Sequence, residues 1–292
     1  MAARPTALPA AAARKRRLPA ATTVVQYALL CLLILLALYP IFLMVSMSLR
    51  PSTLIYADFF GLPIPPIFTN YRAALVDLIP SLLRTLFVTL ASIALIAVFA
   101  APAAYAFARM RFLLRDQLFY VVLAIMMIPG VIMLVPRFIQ ADQLGLRGSL
   151  EGLVVFYVAG GQPFAIFLLT TFFRSQSEEI FEAARVDGAG ELRALLAIAL
   201  PLARPILVTI AIMNFLHIYD DFVWPSLMLP KSVQTLLLAL EKYNPQVEEM
   251  VNRPDLGAQT AGFVFATVPQ LLLFAFGMKY FIQGLTSGSV KA

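Results

Sequence analysis

The residues with chemistry to offer in this chain gather in two places. In the first, an otherwise apolar stretch carries Asn214, His217, Tyr219, Asp220, Asp221 and Trp224. Ionisable groups inside a bilayer are costly and generally face the protein interior or a water-filled cavity. Counting ~1.5 Å per residue from Pro205 puts Asp220 about 22 Å along a helix, in the outer half of a membrane. The carboxylates can accept hydrogen bonds from solute hydroxyls, and Tyr219, Phe222 and Trp224 can stack on an apolar solute face. On the other reading, Asp220 and Asp221 mark a helix end in a headgroup zone, where Trp224 belongs to the aromatic belt. His217 reads as a hydrogen-bonded structural residue rather than a proton relay.

The second place is Ser175-Gln176-Ser177-Glu178-Glu179-Ile180-Phe181-Glu182-Ala183-Ala184-Arg185-Val186-Asp187-Gly188-Ala189. Ser175 with Glu178 three residues on has the form of a capping box, and Glu178 and Glu179 suit the positive end of a helix. Gly188 is free to take the left-handed conformation that ends one. A second helical stretch follows from Ala189 to Ala199, before Pro201. The product is a helix-turn-helix at the membrane surface. Ala183 and Ala184 leave room for another protein to come close, with Glu182, Arg185 and Asp187 able to make charge-assisted bonds to it.

Neither group reads as an enzyme. There is no His-Glu-x-x-His pattern and His217 is the only histidine. Cys31 is the only cysteine and sits in an apolar tract, so an intrachain disulfide and a thiolate metal cluster are both excluded. No bound cofactor or metal is expected. The net charge of +6 lies between apolar tracts and in Arg14-Lys15-Arg16-Arg17, which fits the cytoplasmic excess of membrane proteins better than nucleic acid binding.

These residues have to be positioned by elements made for lipid. Hydrophobic residues make up 61% of the 292 and charged ones only 13%, more apolar surface than a soluble core hides. Six tracts reach toward the ~20 apolar residues that cross a bilayer: 24–47, 85–108, 118–135, 153–173, 206–229 and 261–282. Backbone polar groups in lipid must be satisfied within the segment, which makes these tracts helices. The expectation is an all-α membrane protein with about six transmembrane helices, in which a basic tail (1–23) precedes one transmembrane domain (24–292). The run from Val24 is too long for a signal core and reads as a retained helix. Of the Lys and Arg residues, fourteen fall in one set of alternate segments and eight in the other, which puts both termini in the cytoplasm. The loop 174–204 is then cytoplasmic, while 50–84 and 230–260 face outward and are rich in proline and aromatic residues.

One spacing in the inner loop carries more than composition does. Glu182-Ala183-Ala184, Gly188 after three residues, then Ile198 and Leu200-Pro201 resembles the signature loop of ABC importer permeases. Further stretches resemble the carbohydrate-uptake, maltose-type branch: Thr69-Asn70-Tyr71, Ala103 to Arg109, Ile128-Pro129, and the ending from Tyr280 to Lys291. The resemblance implies a coupling loop (Glu182, Ala183, Ala184, Asp187, Gly188, Ala189, Leu200, Pro201) that docks on a cytoplasmic ATPase. It also implies a homologous second permease that completes the pore, two ATPase subunits holding the ATP and Mg, and an extracytoplasmic solute-binding protein, all at a prokaryotic inner membrane. The implied solute is a sugar or oligosaccharide, with a polyol or glycerol phosphate as the alternative within the family. The segment Tyr219 to Pro225 is similar to a family stretch that usually has Trp and Asn where this chain has Tyr219 and Asp220. Gly160-Gly161-Gln162 is similar to the ATPase signature of such transporters. It lies in an apolar span, however, and no Gly-x-x-x-x-Gly-Lys-Ser/Thr cradle accompanies it, so small-residue helix packing explains it and the chain is not expected to hydrolyse ATP. The rival class is an ion-gradient-driven secondary transporter, which calls for inverted repeats and midplane ion ligands. Neither is evident.

Overall fold

The computed structural model describes residues 20–247 and 253–287. The basic run Arg14 to Arg17 and the terminal stretch from Gly288 lie outside them, as do the side chains from Tyr280 onward.

Among the described residues four helices are long and apolar enough to cross a membrane: α1 (Ala20–Ser48), α3 (Thr69–Arg109), α6 (Leu150–Ser175) and α13 (Leu256–Ser287). A short α2 (Ser52–Ala57) follows α1. The most intimate pair is α3 and α6, where Ala100, Ala101 and Ala104 meet Ala165 and Leu169 in one buried cluster. Small side chains at such a contact let the backbones approach closely. Gly161 belongs to the same seam, because a Cβ there would stand 2.5 Å from Ile96 Cδ1. By contrast α1 is exposed from Val24 to Phe42, an all-round apolar surface suited to lipid or to another apolar helix.

The apolar tracts and the helices do not coincide everywhere. The tract 85–108 is the second part of α3, whose 41 residues reach about 60 Å, twice the ~30 Å hydrocarbon core. The tract 118–135 is not one helix: α4 (Arg115–Met126) stops, residues 127–133 form turns, and α5 (Leu134–Gln143) starts afresh. Pro129 supplies the reason, since it lacks a donor and disfavours the α conformation at Ile128. As a result Arg137, read from sequence as part of an outer connection, lies within α5. The tract 206–229 is likewise broken, into α10 (Arg204–Tyr219) and α11 (Val223–Met228). Ahead of α10, the stretch from Glu191 to Leu202 meets it at 74°, so four spans become five if that bent pair is counted as one. The expected number of six is therefore approximate.

The far end of the bundle is clamped by polar side chains. Arg50, 4% exposed, donates to the carbonyls of Leu54, Asp58, Phe59 and Gly61 and so shapes the loop after α2. Asn70 Nδ2 donates to the carbonyls of Ser48 and Arg50, each at 2.9 Å, and Tyr71 bonds to Ser48 Oγ. Ser52 Oγ lies 2.5 Å from Asp255 Oδ1 and accepts from the Gly257 amide. The ends of α1, α3 and α13 thus share one knot. Gly257 has to be glycine here, because a Cβ would lie 2.5 Å from the Arg50 carbonyl oxygen, a backbone atom unable to move aside. Gly257→Val is expected to cost about 1–3 kcal/mol by overpacking, read as a lower melting midpoint of the protein in detergent; an unchanged midpoint would remove the knot from the account of stability.

Candidate functional site

At the opposite end, α3 and α6 finish side by side and a hairpin folds under them. Its first arm is α7 (Glu178–Val186) and its second is α8 (Glu191–Ala194), a π-helical turn (Leu195–Ala199) and α9 (Leu200–Leu202). The turn between the arms is a Schellman closure. Gly188, at φ +79°, donates to the Arg185 carbonyl at 3.0 Å, and the Ala189 amide donates to Ala184 at 2.9 Å. No atom lies within 4 Å of where a Gly188 Cβ would stand, so the demand for glycine is one of backbone conformation alone.

The expected capping box does not form. Ser175 is the last residue of α6 and its hydroxyl donates back to Phe172, while Ser177 precedes α7 without a side-chain cap bond. Glu178 has a stronger attraction elsewhere: it accepts from Arg109, the last residue of α3. The Arg109 side chain is only 4% exposed. It donates to the carbonyls of Phe173 and Gln176 at 2.5 and 2.7 Å and lies 4.2 Å from the ring centre of Phe181. From Glu178 the charges run on through Arg185 to Glu191, each step 3.5 Å, and return to α3 where Tyr105 donates to Glu191 at 2.8 Å. Exposed pairs such as those of Arg185 contribute about 0–1 kcal/mol. The buried guanidinium, satisfying two helix-end carbonyls and a carboxylate at once, is the stronger link.

Packing sorts the hairpin into two faces. Phe181 turns inward onto Tyr105, Phe173 and Leu195, with Ile198 and Leu200 at the edge of the same cluster, and Ala184 is buried as well. Glu182, Ala183, Asp187, Gly188 and Pro201 are exposed, Ala189 half so. Beside them Val186 is 88% exposed and Leu192 69%. The hairpin therefore presents apolar and acidic side chains on a scaffold fixed from behind.

The second group falls into the packing of the membrane helices. Asn214 is buried and its Nδ2 donates to the Ile210 carbonyl. Tyr219 stacks on Phe215 with ring centres 5.1 Å apart, and its hydroxyl donates to the Ala266 carbonyl of α13 at 2.7 Å. Asp221 accepts from the Tyr157 hydroxyl at 2.9 Å and from the Trp224 amide at 3.2 Å, which caps α11. Trp224 is 4% exposed, its ring centre 5.3 Å from that of Phe156. Asp220 alone of the five is exposed, accepting from Gln270 at 2.5 Å. His217 is exposed on the same face of α10 rather than tied into the core. Among the described residues no three His, Cys, Asp or Glu side chains gather to hold a metal.

Two arginines escaped the sequence reading. Arg109 stood inside the Ala103 to Arg109 stretch and closes a long helix, where a cation suits the carbonyl end; its partners 64 to 69 residues away carried no local signal. Arg137 was hidden by the assumption of an unbroken helix.

Known proteins resemble the whole of this arrangement. Residues 93–287 match the binding-protein-dependent transport system inner membrane component. The chain is 32% identical to the diacetylchitobiose uptake system permease protein NgcG of Streptomyces coelicolor, over 97% of this chain and 92% of that protein. It is also 32% identical to the trehalose transport system permease protein SugB of Mycobacterium tuberculosis, over 87% and 93%. A bacterial ABC transporter involved in the import of the acidic polysaccharide alginate has a chain that superposes with a TM-score of 0.80 at 26% identity, covering 94% of this chain and all of that one. With a hairpin on the ends of α3 and α6 and a match that spans most of its length, the chain belongs to the binding-protein-dependent inner membrane components, the non-catalytic, pore-forming permease subunits of ABC importers.

Proposed function

We propose that this permease admits a sugar or oligosaccharide, and that α7 and its Gly188 turn are the coupling element gripped by a cytoplasmic ATPase. The observation that carries the coupling role is the two-faced hairpin: Phe181 and Arg109 hold it from behind while Glu182, Ala183, Val186 and Asp187 are left outward. Relatives named for diacetylchitobiose, trehalose and maltodextrin support a saccharide solute. The two ATPase copies would hold ATP and Mg, a second permease would complete the pore, and a solute-binding protein would deliver from outside. The loop 174–204 and both termini are then cytoplasmic, and the Arg50 knot and α12 (Leu236–Lys242) face outward toward the binding protein.

In this reading, closure of the ATPases moves α7, and the movement enters the bilayer through Arg109 into α3 and α6 as a rigid-body step. Asp220 is the group on α10 placed to meet solute, and Asn214, Tyr219, Asp221 and Trp224 form the wall behind it.

Three outcomes check the proposal. A thiol placed by Ala183→Cys should cross-link to the ATPase in intact membranes, and repeated failure with reagents of graded length would remove the coupling role. Gly188→Val forces a β-branched residue to a positive φ at a cost of about 1–2 kcal/mol; insertion should remain normal while uptake is lost, and wild-type uptake would argue against a stiff turn. Arg109→Gln leaves buried carbonyls short of donors and Glu178 without its main partner, weakening the anchor by about 1–3 kcal/mol. The assembled complex should keep hydrolysing ATP while solute moved per ATP falls, and an unchanged ratio would show that Arg109 lies off the route of force.

A further inference from the structure

One charge in the apolar region is left unused by the coupling scheme. Arg137 lies in α5 and its guanidinium rests on Gly160 of α6: a Cβ built at Gly160 would stand 2.6 Å from Arg137 Nη2. Gly160 is ten residues past Leu150, about 15 Å along α6, and so near the middle of a ~30 Å hydrocarbon layer. No Asp or Glu carboxylate comes within 4.0 Å of Arg137 among the described residues. Tyr157 interacts electrostatically with both Arg137 and Asp221, but no carboxylate among the described residues pairs with Arg137 directly. A guanidinium without a direct carboxylate partner at that depth is not stable against lipid; such groups face a water-filled cavity or a partner charge.

The backbone beside it supports the cavity independently. Residues 127–133, between α4 and α5, are non-helical, and Met127, Val131 and Ile132 are 83, 78 and 65% exposed. Irregular backbone at membrane depth persists only where protein covers it or where it lines a water-filled space. Gly160 itself is exposed, so α6 presents a bare backbone patch beside the cation. The exposed surface of α1 carries nothing comparable along Val24 to Phe42.

We propose that Arg137 lines the solute pathway of this subunit and, as a cation with no direct carboxylate partner there, favours saccharides that carry a carboxylate. The inference rests on the permease reading and deepens it by naming a solute class. A guanidinium presents a planar fork of donors that matches a carboxylate bidentately, and the missing side chain at Gly160 leaves that fork its room. A neutral sugar would receive the same hydrogen bonds without neutralising the charge.

The test uses the complete complex in proteoliposomes, with this chain carrying Cys31→Ser to remove its natural thiol and Gly160→Cys to report on the site. A sulfonate-bearing methanethiosulfonate should modify the introduced thiol faster than a trimethylammonium-bearing one. Relative to the same pair of rates in an added Arg137→Gln background, the preference should be roughly tenfold or more, the scale on which one sign of charge concentrates ions in a cleft. Digalacturonate should slow the modification, a neutral galactose disaccharide should not, and Arg137→Gln should erase the difference. The proposal is overturned if both reagents fail to reach the thiol, if the charge preference survives Arg137→Gln, or if the neutral disaccharide protects equally. Should Gly160→Cys prevent assembly, Ile132→Cys in the exposed break reports on the same space with the same three outcomes. Loss of the Ala183 cross-link would instead strike at the coupling role while leaving this test intact.

Discussion

A buried guanidinium at the end of α3 is the constraint on which the rest of this molecule depends. A helix that ends against another element leaves carbonyls short of donors, and at the end of α6 these include Gln176 and Phe173, the latter accepting a 3.3 Å bond from the Gln176 amide. Arg109 satisfies both of them and pairs with Glu178 as well. Taking such a charge out of water is costly, and only several good hydrogen bonds make the burial tolerable. That is why the interaction is stiff: no single partner can leave without exposing the rest of the cost. The first arm of the hairpin is consequently an extension of the α3–α6 pair rather than a flap beneath it.

The Arg50 knot does for the far end what Arg109 does for the hairpin end, and one helix joins them. Asn70 and Arg109 are near the first and last positions of the 41-residue α3, so one helix links the two ends, with Pro80 and Pro102 each removing a bond from its ladder. A sharper bend lies elsewhere. Downstream of the hairpin the chain passes through the π-helical turn Leu195–Ala199 and then bends by 74° into α10. A π turn leaves backbone bonds out of the regular ladder and is often found at functional sites. Both arms of the hairpin are tied to α3, the first through Arg109 and the second through Tyr105 and the buried Leu195 and Ala199, and only the second leads on to α10 through a bend.

Apolarity and turn chemistry told the truth about different things. The long tracts of α1, α6 and α13 were legible because solvation in lipid is a property of composition. The start of α3 was not, since Arg72, Asp77 and Arg84 stand on turns of helix that project past the hydrocarbon, where charge costs little. In the third tract the reading of one continuous helix failed, although Pro129 and Gly130 carried the signal for a break. The hairpin's Gly188 was readable because a left-handed turn needs glycine locally. The failed capping box shows the limit of that approach, for the partner that drew Glu178 away stands 69 residues earlier. Polar residues of α10 were rightly noticed as unusual, yet Tyr219 and Asp221 find their bonds in Ala266 and Tyr157, pairings that only the folded chain brings together.

Those pairings also decide which polar group is free to act. Asp221 and Tyr219 are spent on holding helices together, and a hydrogen bond already made inside the protein is unavailable to a passing solute without leaving its partner unsatisfied. Arg137 has no such obligation, and its helix is set apart from α4 by a break at membrane depth. The helix against which it rests, α6, carries Gly160 about 20 Å above Phe173, whose carbonyl Arg109 holds. The Arg109 anchor and the cation proposed for the pathway are thus two loads on one helix, with Pro163 standing between them.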